Sequence, residues 1–154
     1  MTIYFTSDCH FNHNNIIKYC DRPFACKQEM DAQLLKNWNR KVRPTDTIYI
    51  LGDFAFASRN KWIEYLKKLN GKKHLILGNH DDEKHIPIEQ FESIQQYKEI
   101  HIQGRRICLF HFPIDSWHRA YSNAINLHGH IHSKDKAYYQ PTAYKKSKTQ
   151  IELG

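Results

Sequence analysis

Long hydrophobic runs are absent from this chain of 154 residues, and their absence argues against a membrane-spanning helix. The apolar stretches, such as residues 48–51, are far shorter than the roughly 20 residues that cross a bilayer. The first residues also lack a basic leader followed by an apolar segment, so we expect no secretion signal. The sequence therefore predicts a protein of the cytoplasm that has no membrane partner.

Cysteine is scarce and follows no metal-binding pattern. The four cysteines show no Cys-x-x-Cys spacing: Cys9, Cys20, Cys26 and Cys108. In a reducing compartment we expect free thiols rather than disulfides, and a cysteine-based zinc site is the weaker alternative. Internal repeats, low-complexity segments and linkers are absent as well, so we expect a single domain over residues 1–154.

Positive charge, in contrast, is present in excess. Lysine and arginine number 23 against 16 aspartates and glutamates, which gives a formal net charge of +7. This balance favours phosphate-bearing partners, either small phosphoesters and nucleotides or nucleic acid. Part of the charge falls in a late cluster, Lys145, Lys146 and Lys148, for which we expect an exposed tail.

Short apolar runs alternate with helical patterns along the chain. Runs rich in β-branched and aromatic residues predict buried strands at residues 3–6, 47–51, 74–77, 107–110 and 125–127. Apolar residues about four apart predict two helices. One runs from near Asp31 to a limit at Pro44, and the other from Trp62 to a stop at Gly71. Strands interleaved with helices predict a layered α/β sheet.

Polar side chains follow each predicted strand at once. In chain order they are Asp8, His10, Asp53, Asn79, His80, His111, His130 and His132. Because ligands in open α/β sheets gather at the carboxyl ends of strands, we expect the five loops to converge at one edge. Each block alone has an ordinary explanation, such as a Gly52-Asp53 turn or a structural His111. Their joint occurrence after five strands predicts a site.

The types of these side chains point to metal chemistry. Two carboxylates, one amide and four imidazoles, with His80 set aside, form the mixed oxygen and nitrogen donor set that suits divalent metals. Seven donors exceed the needs of one tetrahedral ion. If Asp53 is shared, two ions about 3.5–4 Å apart can support an in-line displacement at phosphorus. Manganese is the ion we favour, with iron, zinc and nickel as alternatives.

The five blocks between Asp8 and His132 resemble those of the calcineurin-like metallophosphoesterase superfamily. The resemblance implies an α/β (α+β) fold, a β-sandwich of two mixed sheets flanked by helices in four layers. It implies that one ion is bound by Asp8, His10, Asp53 and His132, and the other by Asp53, Asn79, His111 and His130. It also implies that His80 is the catalytic histidine, which contacts the phosphoryl group or the leaving oxygen without binding metal.

The insertion from residue 10 to residue 24 resembles a small bacterial and phage branch of that superfamily. In that branch the insertion lies beside the metals, so His13 and Arg22 are candidate contacts of the substrate phosphate or leaving group. The alternative is that Arg22 and Phe24 only anchor the loop.

Two departures from the wider superfamily narrow the substrate. Phe54-Ala55-Phe56 follows Asp53, and Asp81 follows His80, where the Ser/Thr protein phosphatases have other residues. A phosphoprotein substrate is therefore disfavoured. The chain also ends about twenty residues after His132, so we expect an open site without a capping domain.

These patterns predict hydrolysis of phosphodiester bonds in nucleotides, cyclic nucleotides or short nucleic acids. A hydroxide bridging two ions is expected to attack phosphorus, while His80, oriented by Asp46 or Asp81, assists the leaving group. Aromatic residues near the loops are candidates for stacking on bases: Phe11, Phe54, Phe112 and Trp117. The alternatives are a phosphomonoesterase on small phosphorylated metabolites, a non-catalytic binding module on the same fold, and a basic RNA-binding protein without chemistry.

Overall fold

Two four-stranded sheets and three α-helices form the part of the chain that the computed structural model describes, residues 1–132 and 149–153. The first sheet pairs in parallel in the order β1 (Ile3–Thr6), β2 (Thr47–Leu51), β3 (Lys72–Ile76) and β4 (Ser93–Gln95). The second contains β5 (Tyr97–Ile102), β6 (Arg105–Phe110), β7 (Ile125–His128) and β8 (Gln150–Glu152), and β5 is antiparallel to β6. The helices are α1 (Asn14–Tyr19), α2 (Lys27–Lys41) and α3 (Arg59–Lys68). The predicted tail with Lys145, Lys146 and Lys148 lies outside the described residues.

The two longer helices follow the apolar spacing of the sequence. α2 buries Met30 and Trp38 and ends shortly before Pro44, which cannot continue it. α3 buries Trp62 and ends before Gly71, whose φ of +91° lies in the left-handed region that favours glycine. Both helices begin a few residues earlier than predicted, because their first turns are largely exposed and carry no apolar signal.

The two faces of β2 divide the core. Ile48 and Ile50 lie in one apolar cluster with buried residues of α2 and α3. Tyr49 and Leu51 lie in a second cluster with Leu109 of the other sheet. Because side chains alternate across a strand, one short run packs against both neighbouring layers. Burying each leucine or isoleucine contributes roughly 1.5–3 kcal/mol, so β2 holds the layers together.

A loop covers the outer face of the second sheet. Cys108 of β6 clusters with Trp117 and Ala124, and Trp117 Nε1 donates a hydrogen bond of 3.0 Å to the carbonyl of Ala124. This loop contains one short 3-10 turn, Ala120–Ser122. Across the described ranges, no helix combines the length and apolar character that a membrane crossing needs.

The predicted two-sheet α/β sandwich is confirmed. All five predicted strands are present, and their ends shift by at most two residues. The sequence reasoning missed β4, β5 and β8. β4 and β8 have three residues each, and β5 carries charged residues between its apolar ones, so none of the three has a strong apolar run.

Candidate metal centre

The carboxyl ends of β1, β2, β3, β6 and β7 bring the predicted ligands together. Their donor atoms form two groups, Asp8 with His10 and His132, and Asp53 with His111 and His130. Within each group the ligand atoms all lie within 4.8 Å of one another. Asn79 adjoins the second group, because its Oδ1 lies 3.0 Å from His111 Nε2. All seven predicted ligands therefore converge at one end of the sandwich.

Asp53 lies between the two groups. Its Oδ1 accepts a hydrogen bond of 2.9 Å from the backbone N–H of His80. Its Oδ2 lies 3.7 Å from His10 Nε2 and 3.5 Å from His111 Nε2. Oδ1 of Asp53 thus fixes the backbone at His80, and Oδ2 faces one imidazole of each group.

Asp8 is the carboxylate of the first group, as Asp53 is of the second. Its carboxylate accepts hydrogen bonds from the backbone N–H of His130 and from the Ser7 hydroxyl. Its Oδ1 lies 3.5 Å from His132 Nε2, and the Nε2 atoms of His10 and His132 lie 3.3 Å apart. Both aspartates are buried, so the charge of each carboxylate needs a nearby cation or donor.

His111 has a tautomer suited to metal binding. Its Nδ1 lies 2.7 Å from the carbonyl of Leu51, an acceptor, so the ring proton sits on Nδ1. Nε2 then has a free lone pair, and it faces the carbonyl oxygen of the Asn79 amide at 3.0 Å. Two acceptors that face each other at this distance repel unless a cation lies with them.

Burial keeps other imidazoles of the site neutral. Burial lowers the pKa of His10 to about 2, and the like charge of the neighbouring His132 adds to this effect. Burial, together with the adjacent His111, also lowers the pKa of His130. Neutral imidazoles keep a lone pair for a divalent ion at pH 7, which protonated rings would not.

Left-handed backbone conformations are concentrated at the candidate ligands. Five of the seven have φ between 43° and 74°: Asp8, His10, Asp53, His130 and His132. For residues with a side chain such conformations cost about 1–3 kcal/mol each and persist where surrounding contacts impose them. The chain therefore bears local strain where it presents these donors, which is typical of functional loops.

Two glycines let the loops approach the carboxylates closely. A Cβ on Gly129 would overlap Asp8 Oδ2, and a Cβ on Gly78 would overlap Asp53 Oδ1. A glycine therefore precedes His130 and Asn79 because any side chain there would collide with the carboxylate of Asp8 or Asp53.

His80 and His13 lie over the first group. The ring centroid of His80 is 5.7 Å from that of His10, and the ring centroid of His13 is 5.4 Å from it. Burial, with His80 and the Arg22 guanidinium nearby, lowers the pKa of His13. The Nδ1 atom of His13 is buried and has no hydrogen-bond partner within the described part of the chain. Both side chains therefore border the space above the candidate ligands.

Arg22 contacts the backbone beneath the site. Its Nη2 donates to the carbonyl of Asp8 at 2.7 Å, and its Nη1 donates to the carbonyl of Cys9 at 3.0 Å. The planar guanidinium thus holds both peptide groups of the loop that carries Asp8 and His10. This geometry favours the anchoring alternative over a substrate contact.

The expectation that Asp46 or Asp81 orients His80 is not met. Asp46 precedes β2, at the opposite end of the sheet, and accepts from the backbone N–H groups of Thr2 and Arg43. Asp81 accepts from three backbone N–H groups, those of Asp53, Phe54 and Gly78, at 2.9–3.0 Å. Asp81 therefore braces the loop that carries Asp53.

The aromatic residues expected near the site have a different distribution. Phe11 and Phe54 are fully buried, and Trp117 is 8% exposed, so these three belong to the core. Phe112 is half-buried and packs its ring against His111 and His130, with centroids 4.9 and 4.7 Å apart. The aromatic side chain that sequence reasoning missed is Phe56, which is 57% exposed beside His13 and His80.

The donor set fits divalent cations. Two buried carboxylates face imidazoles, and His111 Nε2 and Asn79 Oδ1 lie 3.0 Å apart, close enough to bind one cation together. Thiolates play no part in these groups. Cys9 lies beside them in sequence, but burial raises the pKa of its thiol to about 12.

A two-sheet α/β sandwich with this donor set at its strand ends defines a class, the metal-dependent phosphoester hydrolases. The chain belongs to the calcineurin-like phosphoesterase superfamily, whose domain profile matches residues 1–145. The family implies divalent metals, in agreement with the two Asp/His groups.

The chain is also similar to other proteins and to solved structures. The chain is 40% identical to the uncharacterized protein MJ1445 of Methanocaldococcus jannaschii over 133 residues, which cover 85% of this chain and 69% of that protein. It is 29% identical to the gene 66 protein of Mycobacterium phage L5, with coverage of 84% and 77%. The structure of AQ665 from Aquifex aeolicus, a protein of unknown function, superposes with a TM-score of 0.73 at 29% identity and covers 99% of this chain and 90% of that one. The nuclease MPE of Pseudomonas putida shares the fold, with a TM-score of 0.51, 20% identity and coverage of 82% and 59%.

Proposed function

We propose that the protein is a two-metal phosphodiesterase that acts on nucleotides, cyclic nucleotides or short nucleic acids. The observation that carries this proposal is the position of Asp53 Oδ2, which faces His10 of one group and His111 of the other. In the proposal Asp53 is shared: Asp8, His10 and His132 complete one site, and Asn79, His111 and His130 complete the other. Manganese is the favoured ion, with iron, zinc and nickel as alternatives.

In the proposed reaction, Asp53 holds the metal ions and His80 acts on the leaving group. When bound, a pair of divalent ions supplies Lewis acidity and lowers the pKa of water enough for in-line attack at phosphorus. His80 donates a proton to the leaving oxygen, from a ring that lies 5.7 Å from His10 and is exposed to the substrate side. Because Asp53 Oδ1 accepts from the His80 backbone, one carboxylate fixes both the shared donor and the position of the acid.

The charge around the site favours a diester over a monoester. A phosphomonoester carries one more negative charge than a diester near neutral pH, and its binding gains from additional cationic side chains. Among the described residues, Arg22 is an arginine whose charge acts on His10 and His13, and its guanidinium is already hydrogen-bonded to the carbonyls of Asp8 and Cys9. The monoanionic diester therefore suits this site better.

A screen of phosphoesters tests the proposal. Bis-p-nitrophenyl phosphate and p-nitrophenyl phosphate are offered to the protein loaded with Mn²⁺, Ni²⁺, Fe²⁺ or Zn²⁺, with Asp53→Asn and His80→Ala as controls. We expect a higher kcat/KM for the diester, loss of activity in Asp53→Asn, and a smaller loss in His80→Ala because p-nitrophenolate leaves with little need of a proton donor. A preference for the monoester would replace the proposal with a phosphomonoesterase. Absence of hydrolysis by a protein shown to contain metal would favour a non-catalytic binding module.

A further inference from the structure

Phe56 is an exposed aromatic side chain at the edge of the candidate site. It is 57% exposed, although Phe54, two residues earlier, is fully buried. One face of its ring stacks on His13, with centroids 4.9 Å apart and planes inclined by 26°. The ring centroid of His80 lies 6.5 Å from that of Phe56, with the two planes inclined by 76°. Phe56 differs from the other exposed hydrophobic side chains because its ring borders both His80 and a pocket, which makes it a candidate ligand contact.

A pocket of about 340 Å³ opens next to this ring. Phe56 and Trp62 give it apolar walls, and His80 borders it on the side of the metal centre. Asp82 and His85 lie at its rim, where Asp82 Oδ2 and His85 Nδ1 are 3.7 Å apart and both side chains are about half exposed. Planar apolar walls with a few polar groups at the mouth are typical of pockets that bind an aromatic ring with polar edges.

The backbone holds Phe56 in place. The N–H of Phe56 donates to the carbonyl of Phe11 at 2.9 Å, and Asn12 Nδ2 donates to the carbonyl of Phe56 at 3.0 Å. Below the pocket, Trp62 is 1% exposed and packs against Phe54 with ring centroids 4.8 Å apart. The backbone beneath the ring is therefore held by hydrogen bonds and packing before any ligand binds, which lowers the entropic cost of binding.

We infer that this pocket binds the nucleobase on the leaving-group side of the substrate, stacked on the face of Phe56 opposite His13. The inference rests on the proposed function, because His80 defines that side of the reaction. The base extends the existing pair of His13 and Phe56 into a stack of three rings. Its polar edge meets Asp82 and His85 at the rim. The substrate is then a nucleotide diester whose leaving group is a nucleoside, and Phe56 determines that specificity.

Dinucleotides with one base removed test the inference. The Mn²⁺-loaded protein is given thymidylyl-thymidine and its two analogues in which one or the other nucleoside is an abasic tetrahydrofuran. We expect kcat/KM to fall about tenfold for the analogue that lacks the base on the leaving side, since stacking of one base contributes on this scale. Phe56→Ala should remove the difference by raising KM, and Phe56→Tyr should keep it. Tyr121→Ala, which alters an aromatic side chain that is 89% exposed, serves as the matched control and should behave as wild type.

A binding measurement separates this inference from the proposed function. Calorimetry on the metal-loaded protein compares thymidine 5′-monophosphate with deoxyribose 5-phosphate, and we expect the nucleotide to bind about tenfold more tightly to wild type but not to Phe56→Ala. If wild type hydrolyses no diester, the proposed function fails while the binding difference still decides the subsite. Equal binding of the two phosphates, or a base preference that Phe56→Ala retains, would overturn the inference.

Discussion

Two buried aspartates at opposite ends of β2 show how a structural carboxylate differs from a candidate ligand. Asp46, just before the strand, has each oxygen bound by a backbone amide, Thr2 N–H at 2.7 Å and Arg43 N–H at 2.9 Å. Asp53, just after it, gives Oδ1 to a backbone amide and leaves Oδ2 facing His10 and His111. Asp53 also has a φ of 53°. The carboxylate of Asp46 thus stabilises a turn through both oxygens, whereas that of Asp53 keeps one oxygen available to a cation.

The largest expected effect comes from removing the charge of Asp53, and the matched control removes the charge of Asp46. Asp53→Asn should lower kcat/KM for a diester by at least about 10⁴-fold, the upper end of the loss expected for a proton donor, because a shared ligand supports both metal sites. Asp46→Asn should leave kcat/KM close to wild type. Steady-state rates at fixed Mn²⁺ check both. An Asp53→Asn protein as active as wild type would end the distinction between the two residues.

His80→Ala separates the proposed acid from the ligands. Its kcat should fall about 10²–10⁴-fold, the range for losing a positioned proton donor, while metal content stays at the wild-type level. Turnover rates together with elemental analysis of the same samples provide the check. Loss of metal along with activity would instead make His80 part of the metal-binding group.

Arg22→Ala distinguishes a residue that positions the metal ligands from a residue that contacts the substrate. Because Arg22 holds the carbonyls of Asp8 and Cys9, its loss should weaken metal affinity by about 10–100-fold and leave KM unchanged at saturating metal. Arg22→Lys should restore only part of the affinity, since an ammonium cannot span both carbonyls as a planar fork does. A raised KM with normal metal affinity would identify a substrate contact after all.

The smallest effect concerns Asp46 and pH. The backbone N–H groups of Thr2 and Arg43 hold the pKa of Asp46 below its usual value, so its carboxylate stabilises the fold above the unfolded pKa of about 4. That contribution is lost as pH falls through the lower, folded pKa. We expect Asp46→Asn to lower Tm at pH 7, and the gap to wild type to close in acid. Thermal unfolding between pH 2 and pH 7 measures it, and a gap independent of pH would contradict the assignment.

The ligand positions could be predicted from the sequence where a ligand-type side chain directly follows a strand with a strong apolar run. Asp8, Asp53 and His111 follow strands whose apolar runs are strong, so their convergence at one edge could be predicted. Prediction from the sequence failed where the outcome depends on backbone hydrogen bonds over long range. Asp81 has the residue type of a partner for His80, but its oxygens are occupied by the amides of Asp53, Phe54 and Gly78.

The solvent exposure of the aromatic side chains could not be predicted from the sequence either. Phe54 and Phe56 are identical in type and two residues apart, and the chain buries one fully while it leaves the other 57% exposed. Which of them faces the core depends on α3, since Phe54 packs against Trp62 with ring centroids 4.8 Å apart. No local pattern in the sequence records that contact.

The metal content of wild-type protein tests the central claim most directly. Equilibrium dialysis against Mn²⁺, followed by elemental analysis, gives the number of ions bound per chain. The shared position of Asp53 Oδ2 predicts two ions per chain for wild type, and fewer than two for Asp53→Asn. A saturating stoichiometry of one ion per chain in wild type, or none, would contradict the two-metal account.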